Sequence, residues 1–203
     1  MVVKKIAVLQ NIKYRECNGI INRIIDGDVD IIVICGGIRE CRNVIDVPKN
    51  VFGIVDLEDD VHIIKLMKNR NVYIAGKWKL LEDGICIGGI DAKNPVQNLL
   101  MIIEELPYGC KNLVLVSRYP IIGLDCSSIE IFKKKISIGF TTSLIEKLLN
   151  RIEKMVFICC NNTLDGVCTG IPINDRFVNV SLIGHFTKIT IDFTNIRKIV
   201  IEY

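Results

Sequence analysis

The chain has 203 residues, of which 50% are hydrophobic and 24% charged, a composition that fits one domain with a substantial core. No apolar run approaches the length of about 20 residues that spans a bilayer. The formal net charge of +3 is weak, and aromatic residues make up only 6% of the chain. Proteins that bind nucleic acid usually concentrate basic residues on one face, often with aromatics between them, so the composition argues against a nucleic-acid partner.

The first residues, MVVKKIAVLQNIK, place two lysines before an apolar run, as a signal peptide does. The run is short, it ends in Gln10 and Asn11, and no small-residue cleavage site follows it. We therefore interpret it as a first strand and expect a cytoplasmic protein.

Short runs rich in Ile and Val predict ten strands, and the runs before residue 120 are nearly continuous, as in strands buried on both faces. The predicted strands are 5–12, 30–35, 51–55, 71–75, 84–88, 112–117, 155–160, 176–183, 186–193 and 197–202. Helical spacing of apolar residues predicts four helices, over 17–25, 59–68, 95–106 and 142–154. Beyond residue 165 the strands alternate apolar and polar residues between glycines. The pattern predicts an α/β fold in which two mixed β-sheets pack as a sandwich with flanking helices, in one domain over residues 1–203.

The chain has nine cysteines, an odd number, and none of them falls in a CxxC pair. Cys35, Cys86, Cys159 and Cys160 lie within apolar runs, where a free thiol behaves as a small hydrophobic group. The closely spaced Cys/His pairs of a structural zinc site are missing. We therefore interpret these cysteines as free core residues; pairing stays open, since disulfides inside a cell are typical of hyperthermophiles.

Five segments share their order and spacing with the signature blocks of one enzyme family. They are KIAVLQNIK (5–13), DIIVICGG (30–37), FGIVDLEDD (52–60), LVLVSRYP (113–120) and MVFICCNNTLDG (155–166). They resemble the D-x-H, G-D, G-N-H-D/E, H and G-H-x-H blocks of the calcineurin-like metallophosphoesterases. IGGID at 87–91 and FVNVS at 177–181 also resemble stretches of that family. The resemblance covers residues 5 to 193 and implies an α/β/β/α sandwich, which in the family holds two metals at the strand ends to activate a water.

Nearly every metal ligand of that family is replaced in this chain. The vestigial metal-site positions are Asn11, Lys13, Gly37, Leu57, Glu58, Arg118, Cys160 and Asn162. The trailing acid of the third block is kept as Asp59. The two histidines of the chain, His62 and His185, fall at none of the ligand positions. The resemblance therefore implies a degenerate member with no catalytic residue, no metal and no cofactor.

Two basic residues, Lys13 and Arg118, stand at former histidine positions. Glu58, Asp59 and Asp56 are acids that could pair with them. One interpretation is an internal ion-pair plug, which holds the strand ends together without metal. A second is a residual anion pocket, in which Lys13 and Arg118 face a phosphate or a carboxylate. A third is that these side chains point to solvent.

Three functions stay open on the sequence alone, and we favour the first. The first is a non-catalytic binding or scaffold module with a protein partner, to which the leucine-rich helix at 142–154 could present an apolar face; a homo-oligomer also stays open. The second is a divergent phosphoesterase with a reduced metal site, whose oxygen ligands would suit Mg²⁺ or Mn²⁺. Its candidate ligands are Glu58, Asp59, Asp125, Asn162 and Asn179. The third is a module for anions or nucleic acid, centred on Lys13 and Arg118.

Overall fold

A computed structural model describes residues 2–122, 128–131, 134–137, 139–160, 168–169, 175–182 and 184–203. The strands of this part of the chain are β1 Val3–Leu9, β2 Ile31–Cys35, β3 Asn50–Ile54, β4 Trp78–Leu80, β5 Ile85–Ile90, β6 Asn112–Ser117, β7 Ser128–Ile131, β8 Lys134–Ser137, β9 Lys154–Cys160, β10 Cys168–Thr169, β11 Phe177–Leu182, β12 Phe186–Asp192 and β13 Val200–Glu202. The α-helices are α1 Tyr14–Asp26, α2 Val61–Asn69, α3 Pro95–Glu104 and α4 Thr142–Leu149. None of these described helices is long and apolar enough to cross a membrane.

The strands form two large mixed sheets. The first sheet has the order β13-β12-β1-β2-β3, and the second has the order β10-β11-β9-β6-β5-β4. In the first sheet β1, β2 and β3 run parallel, and in the second β5, β6, β9 and β11 run parallel. A separate antiparallel hairpin joins β7 and β8.

Both faces of each large sheet are buried, which explains why the strand sequences contain continuous apolar runs. The inner faces pack on one shared core, to which β1, β2, β6 and β9 contribute alternate residues such as Val8, Val33, Val116 and Ile158. Helices α1 and α2 cover the outer face of the first sheet, and α3 and α4 cover the outer face of the second. The predicted class, two mixed sheets packed between flanking helices, is confirmed.

The carboxyl ends of the parallel strands in both sheets meet at one side of the molecule. Cys35, the last residue of β2, is bonded to Cys160, the last residue of β9. Arg118, directly after β6, forms an ion pair with Asp56, shortly after β3. We call this side the carboxyl edge, made of residues 10–13, 36–41, 56–61, 91–94 and 118–120.

Two predicted elements differ from the structure. Residues 71–75 were expected to form a strand, but they make only single bridges, from Tyr73 to Gly53 of the first sheet and from Ala75 to Gly89 of the second. This segment passes from one sheet to the other, so it cannot extend a ladder with either. The helix predicted over 142–154 ends at Leu149, because the chain then turns into β9. The short strands β4, β7, β8 and β10 were missed, since none of them is longer than four residues.

The cysteines also differ from the prediction. The described residues form three disulfides, which join Cys17 to Cys41, Cys35 to Cys160 and Cys86 to Cys110. Cys159 is a buried free cysteine, as expected. The interpretation of Cys35, Cys86 and Cys160 as free thiols is therefore wrong. The bonded partners lie 24, 125 and 24 residues apart, so only the folded chain brings them together.

Candidate functional site at the carboxyl edge

Arg118 lies where the strands of both sheets end. Its guanidinium donates from Nη1 to Gln10 Oε1 and to the Cys35 carbonyl, both at 3.2 Å. Nη2 donates to Asp56 Oδ2 in an ion pair whose side chains are 7% and 15% exposed. One side chain at the end of β6 therefore reaches the ends of β1, β2 and β3.

Gln10 extends this network to a further strand. Its side chain is fully buried, and Nε2 donates to the carbonyls of Leu182 at 2.9 Å and Gly184 at 3.1 Å. Leu182 ends β11 in the second sheet. Gln10 is thus both an acceptor for Arg118 and a link between the sheets. No role for Gln10 is predicted from the sequence, although a glutamine at the end of a continuous apolar run is a usable signal.

Asp59 organises the turns that follow β2 and β3. Its carboxylate accepts from the amide of Gly37 at 3.1 Å and from the amide of Asp56 at 2.8 Å. Burial raises the pKa of the Asp59 carboxyl above its usual range, and these two amide hydrogen bonds partly offset that effect. The carboxylate oxygens of Asp59 therefore accept hydrogen bonds from the backbone of two neighbouring loops.

The resemblance places an aspartate that bridges two metals at Gly37, and the structure leaves no room for a side chain there. The residue has a left-handed φ of 68°, and the nearby Asn11 has a φ of 49°. A Cβ atom on Gly37 would lie 2.3 Å from Asn11 Oδ1 and 2.7 Å from Asn11 Cα. Because Cβ contacts that short do not occur, the position requires glycine unless Asn11 moves.

Lys13, Leu57 and Glu58 are exposed at the same edge. An open cavity of about 350 Å³ is lined by Asn11, Ile12, Lys13, Gly37, Arg39, Glu40, Glu58 and Asp59. Glu40 is already engaged, since its Oε2 accepts from the amide of Tyr14 at 2.8 Å at the start of α1. The cavity therefore presents lysine, arginine and glutamate side chains to solvent.

The observed ion pair joins Arg118 to Asp56. The expected plug consisted of Lys13, Glu58, Asp59 and Arg118, so the acidic partner of Arg118 is a different residue. Arg118 pairs with Asp56, because that side chain turns inward while the side chain of Glu58 is exposed. Asp59 is buried but its oxygens accept from backbone amides. Arg118 and Lys13 do not line the open cavity together, so the structure does not assemble the pair that the anion-pocket interpretation required.

The described residues do not fit the two-metal centre of the enzyme family that the chain resembles. Arg118 supplies a permanent cation where the strand ends converge, and a second cation there would be repelled. The sulfur atoms of Cys35 and Cys160 are bonded to each other, so neither is a thiolate ligand. Within the described part of the chain, no three His, Cys, Asp or Glu side chains are placed to share a metal ion.

Of the remaining candidate ligands of the reduced metal site, Asn179 is described, and it does not face Asp59. Asp125 and Asn162 lie outside the described residues. Asn179 is fully buried in the middle of β11. Its neighbours Val178 and Val180 face the core between the sheets, so Asn179 faces the helices on the other side.

Cys159 has no nucleophilic role at this edge. The strand register places it beside Ser117 of β6 and Ser181 of β11, and all three residues are buried. Burial is the main reason that the pKa of the Cys159 thiol is raised to about 12. A nucleophilic cysteine needs an accessible thiolate, so Cys159 is a core residue.

Comparisons with known proteins show the fold and go no further. No protein-family model matches the chain, and no curated protein matches its sequence. One crystal structure is similar with a TM-score of 0.65 at 14% sequence identity, covering 99% of each chain. The crystal structure of TT1561 of Thermus thermophilus is similar with a TM-score of 0.60 at 8% identity, again covering 99% of each chain. The chain thus shares its whole architecture with these proteins, while the metallophosphoesterase resemblance stays a prediction.

Proposed function

We propose that this chain is a non-catalytic protein of the metallophosphoesterase type, which acts as a binding or scaffold module through its carboxyl edge. The observation that carries the proposal is the position of the Arg118 guanidinium. It neutralises Asp56 and contacts the ends of β1 and β2, so a protein cation performs the structural task that metals perform in the family. A protein partner and a cytoplasmic location belong to the same proposal.

The chemistry of the edge supports the same conclusion. Phosphoester hydrolysis in this family depends on metal activation of a water and on acid–base groups. Of the described groups, Asp56 pairs with Arg118 and Asp59 accepts from two backbone amides. His185 uses Nδ1 in a contact of 3.2 Å with the Gln10 carbonyl. These three groups are engaged in contacts within the fold.

Exposed apolar side chains at the carboxyl edge and in the helix turns next to it support binding. Tyr14 is 79% exposed, Leu57 63%, Val61 60% and Val96 58%. Each follows the end of a parallel strand, either in the connecting loop or in the first turn of the next helix. Exposed apolar residues grouped on one side of a protein are typical of interaction surfaces.

The helix at 142–154 is not that surface. Ile145, Leu148, Leu149 and Ile152 all lie in the core between this segment and the second sheet. Core packing therefore explains their spacing, and the apolar face expected from the sequence is buried. The binding surface that we propose lies at the carboxyl edge instead.

We expect no hydrolysis of p-nitrophenyl phosphate or bis(p-nitrophenyl) phosphate above a blank with Mn²⁺, Mg²⁺ or Ni²⁺, because the edge lacks the groups that activate water. A colorimetric assay across successive purification fractions measures this. Activity that follows the protein, disappears in Asp59→Asn and persists in the control Asp60→Asn would favour the divergent phosphoesterase. Asp60 is a suitable control because its side chain caps α2 by accepting from the Ile63 amide.

A further inference from the structure

One disulfide joins the two walls of the open cavity at the carboxyl edge. The first wall contains Asn11, Ile12 and Lys13 and continues into α1, where Cys17 lies in the first turns. The second wall contains Gly37, Arg39 and Glu40 and continues to Cys41. The Cys17–Cys41 bond, with a Cα–Cα distance of 5.4 Å, holds these walls together.

Two hydrogen bonds also connect the walls. The Asn11 amide donates to the Gly36 carbonyl at 3.2 Å, and the Tyr14 amide donates to Glu40 Oε2 at 2.8 Å. Residues 36–41 belong to no strand or α-helix. A segment without a ladder opens locally more easily than the sheets do, so the covalent bond acts together with these hydrogen bonds and with the Gly37–Asp59 contacts in fixing the width of the cavity.

We propose that the Cys17–Cys41 disulfide is a redox-controlled brace that keeps the carboxyl edge in its binding shape. A dithiol reductant would transfer two electrons and two protons, leaving thiols on Cys17 and Cys41 and ending as its own disulfide. The reduced protein keeps its sheets and loses the fixed position of residues 36–41. This inference rests on the proposed function, since it concerns the regulation of the same binding edge.

Position distinguishes this disulfide from the one that joins the sheets. Cys17 is 5% exposed and Cys41 1%, while Cys35 and Cys160 are both at 0% in the core between the sheets. Asn43 Oδ1 lies 3.2 Å from Cys17 Sγ, so the thiol of a reduced Cys17 has a hydrogen-bond acceptor in place. Cys17 and Cys41 pack in the core between the first sheet and its helices, but Cys17 is the most exposed of these four cysteines, so a reductant reaches this bond before the one between the sheets.

The chain offers a matched control for the brace. Cys86–Cys110 has the same sequence separation of 24 residues and a Cα–Cα distance of 5.7 Å, but it lies in the second sheet, towards the start of β5 and β6. We expect amide hydrogen exchange of residues 36–41 to be about tenfold faster in C17A/C41A than in wild type, since local opening governs exchange. The control C86A/C110A is expected to leave exchange of these amides unchanged. Equal exchange of residues 36–41 in both variants and wild type would overturn the brace.

Reduction of the wild-type protein supplies a second test that does not depend on a variant folding. With increasing dithiothreitol, followed by alkylation and mass mapping, Cys17 and Cys41 are expected to become labelled before Cys35 and Cys160. Labelling of Cys35 and Cys160 at the same or lower reductant concentration contradicts the proposal. Neither measurement uses a binding partner, so the brace is tested independently of the proposed binding function.

Discussion

Replacing Arg118 by alanine is expected to lower the free energy of unfolding by about 3–5 kcal/mol, because the change leaves a partly buried charge without its partner. Asp56, whose side chain is 15% exposed in the wild type, would lose its partner. Gln10 Oε1 and the Cys35 carbonyl would also lose their donor, and a buried acceptor without a donor adds to the loss. Denaturant unfolding of wild type and Arg118→Ala measures the difference.

A surface ion pair provides the control for Arg118. Arg70 and Asp46 pair at 2.9 Å with side chains 57% and 51% exposed, so Arg70→Ala is expected to cost about 0–1 kcal/mol. The double variant R118A/D56A is expected to lose less than the sum of its single variants, because it removes the uncompensated charge. If Arg118→Ala melts at or above wild type, and phosphate stabilises only wild type, the anion pocket is favoured over the internal pair.

Removing the Cys35–Cys160 disulfide between the sheets is expected to lower the free energy of unfolding by a similarly large amount. Cys35 and Cys160 are 125 residues apart in sequence, and closing a loop of that length contributes about 5 kcal/mol in the chain-entropy description of disulfides. The variant C35A/C160A is therefore expected to unfold at a much lower guanidinium concentration than the oxidised wild type. Guanidinium titration followed by circular dichroism measures the shift.

The shorter disulfide again serves as the comparison. Cys86 and Cys110 are 24 residues apart. Closing a loop of that size contributes about 3.5 kcal/mol to the free energy of unfolding in the same chain-entropy description. The loss in C35A/C160A is thus expected to exceed the loss in C86A/C110A. A midpoint for C35A/C160A equal to that of the oxidised wild type would mean that the bond between the sheets does not stabilise the fold.

The strands and the fold class could be predicted because they depend on local patterns. Runs such as IIVIC at 31–35 are apolar at every position, which is typical of a strand covered on both faces. The order of strands within each sheet could not be predicted in the same way, since it depends on pairing between distant segments. Residues 71–75 show the limit of local patterns. Their composition is typical of a strand, but the segment crosses from one sheet to the other and makes one bridge to each.

The candidate site was predictable in position but not in its contacts. The resemblance placed Arg118 at the carboxyl edge, yet the choice of Asp56 over Glu58 or Asp59 depends on which side chains of one turn face inward. The disulfides were missed because no spacing rule connects Cys35 with a cysteine 125 residues away. Gln10 was missed because its partners, Arg118 and Leu182, come from distant parts of the chain.

We propose that a protein cation, the Arg118 guanidinium, joins the strand ends at the carboxyl edge in place of metal. Anomalous diffraction from crystals grown with Mn²⁺ and phosphate tests it most directly, because Mn²⁺ suits the oxygen-rich ligand set of a residual phosphoesterase centre. We predict no anomalous peak among Asn11, Gly37 and Cys160, and an intact contact between Arg118 and Asp56. A strong manganese peak coordinated at these strand ends, with Arg118 displaced from Asp56, would contradict the account.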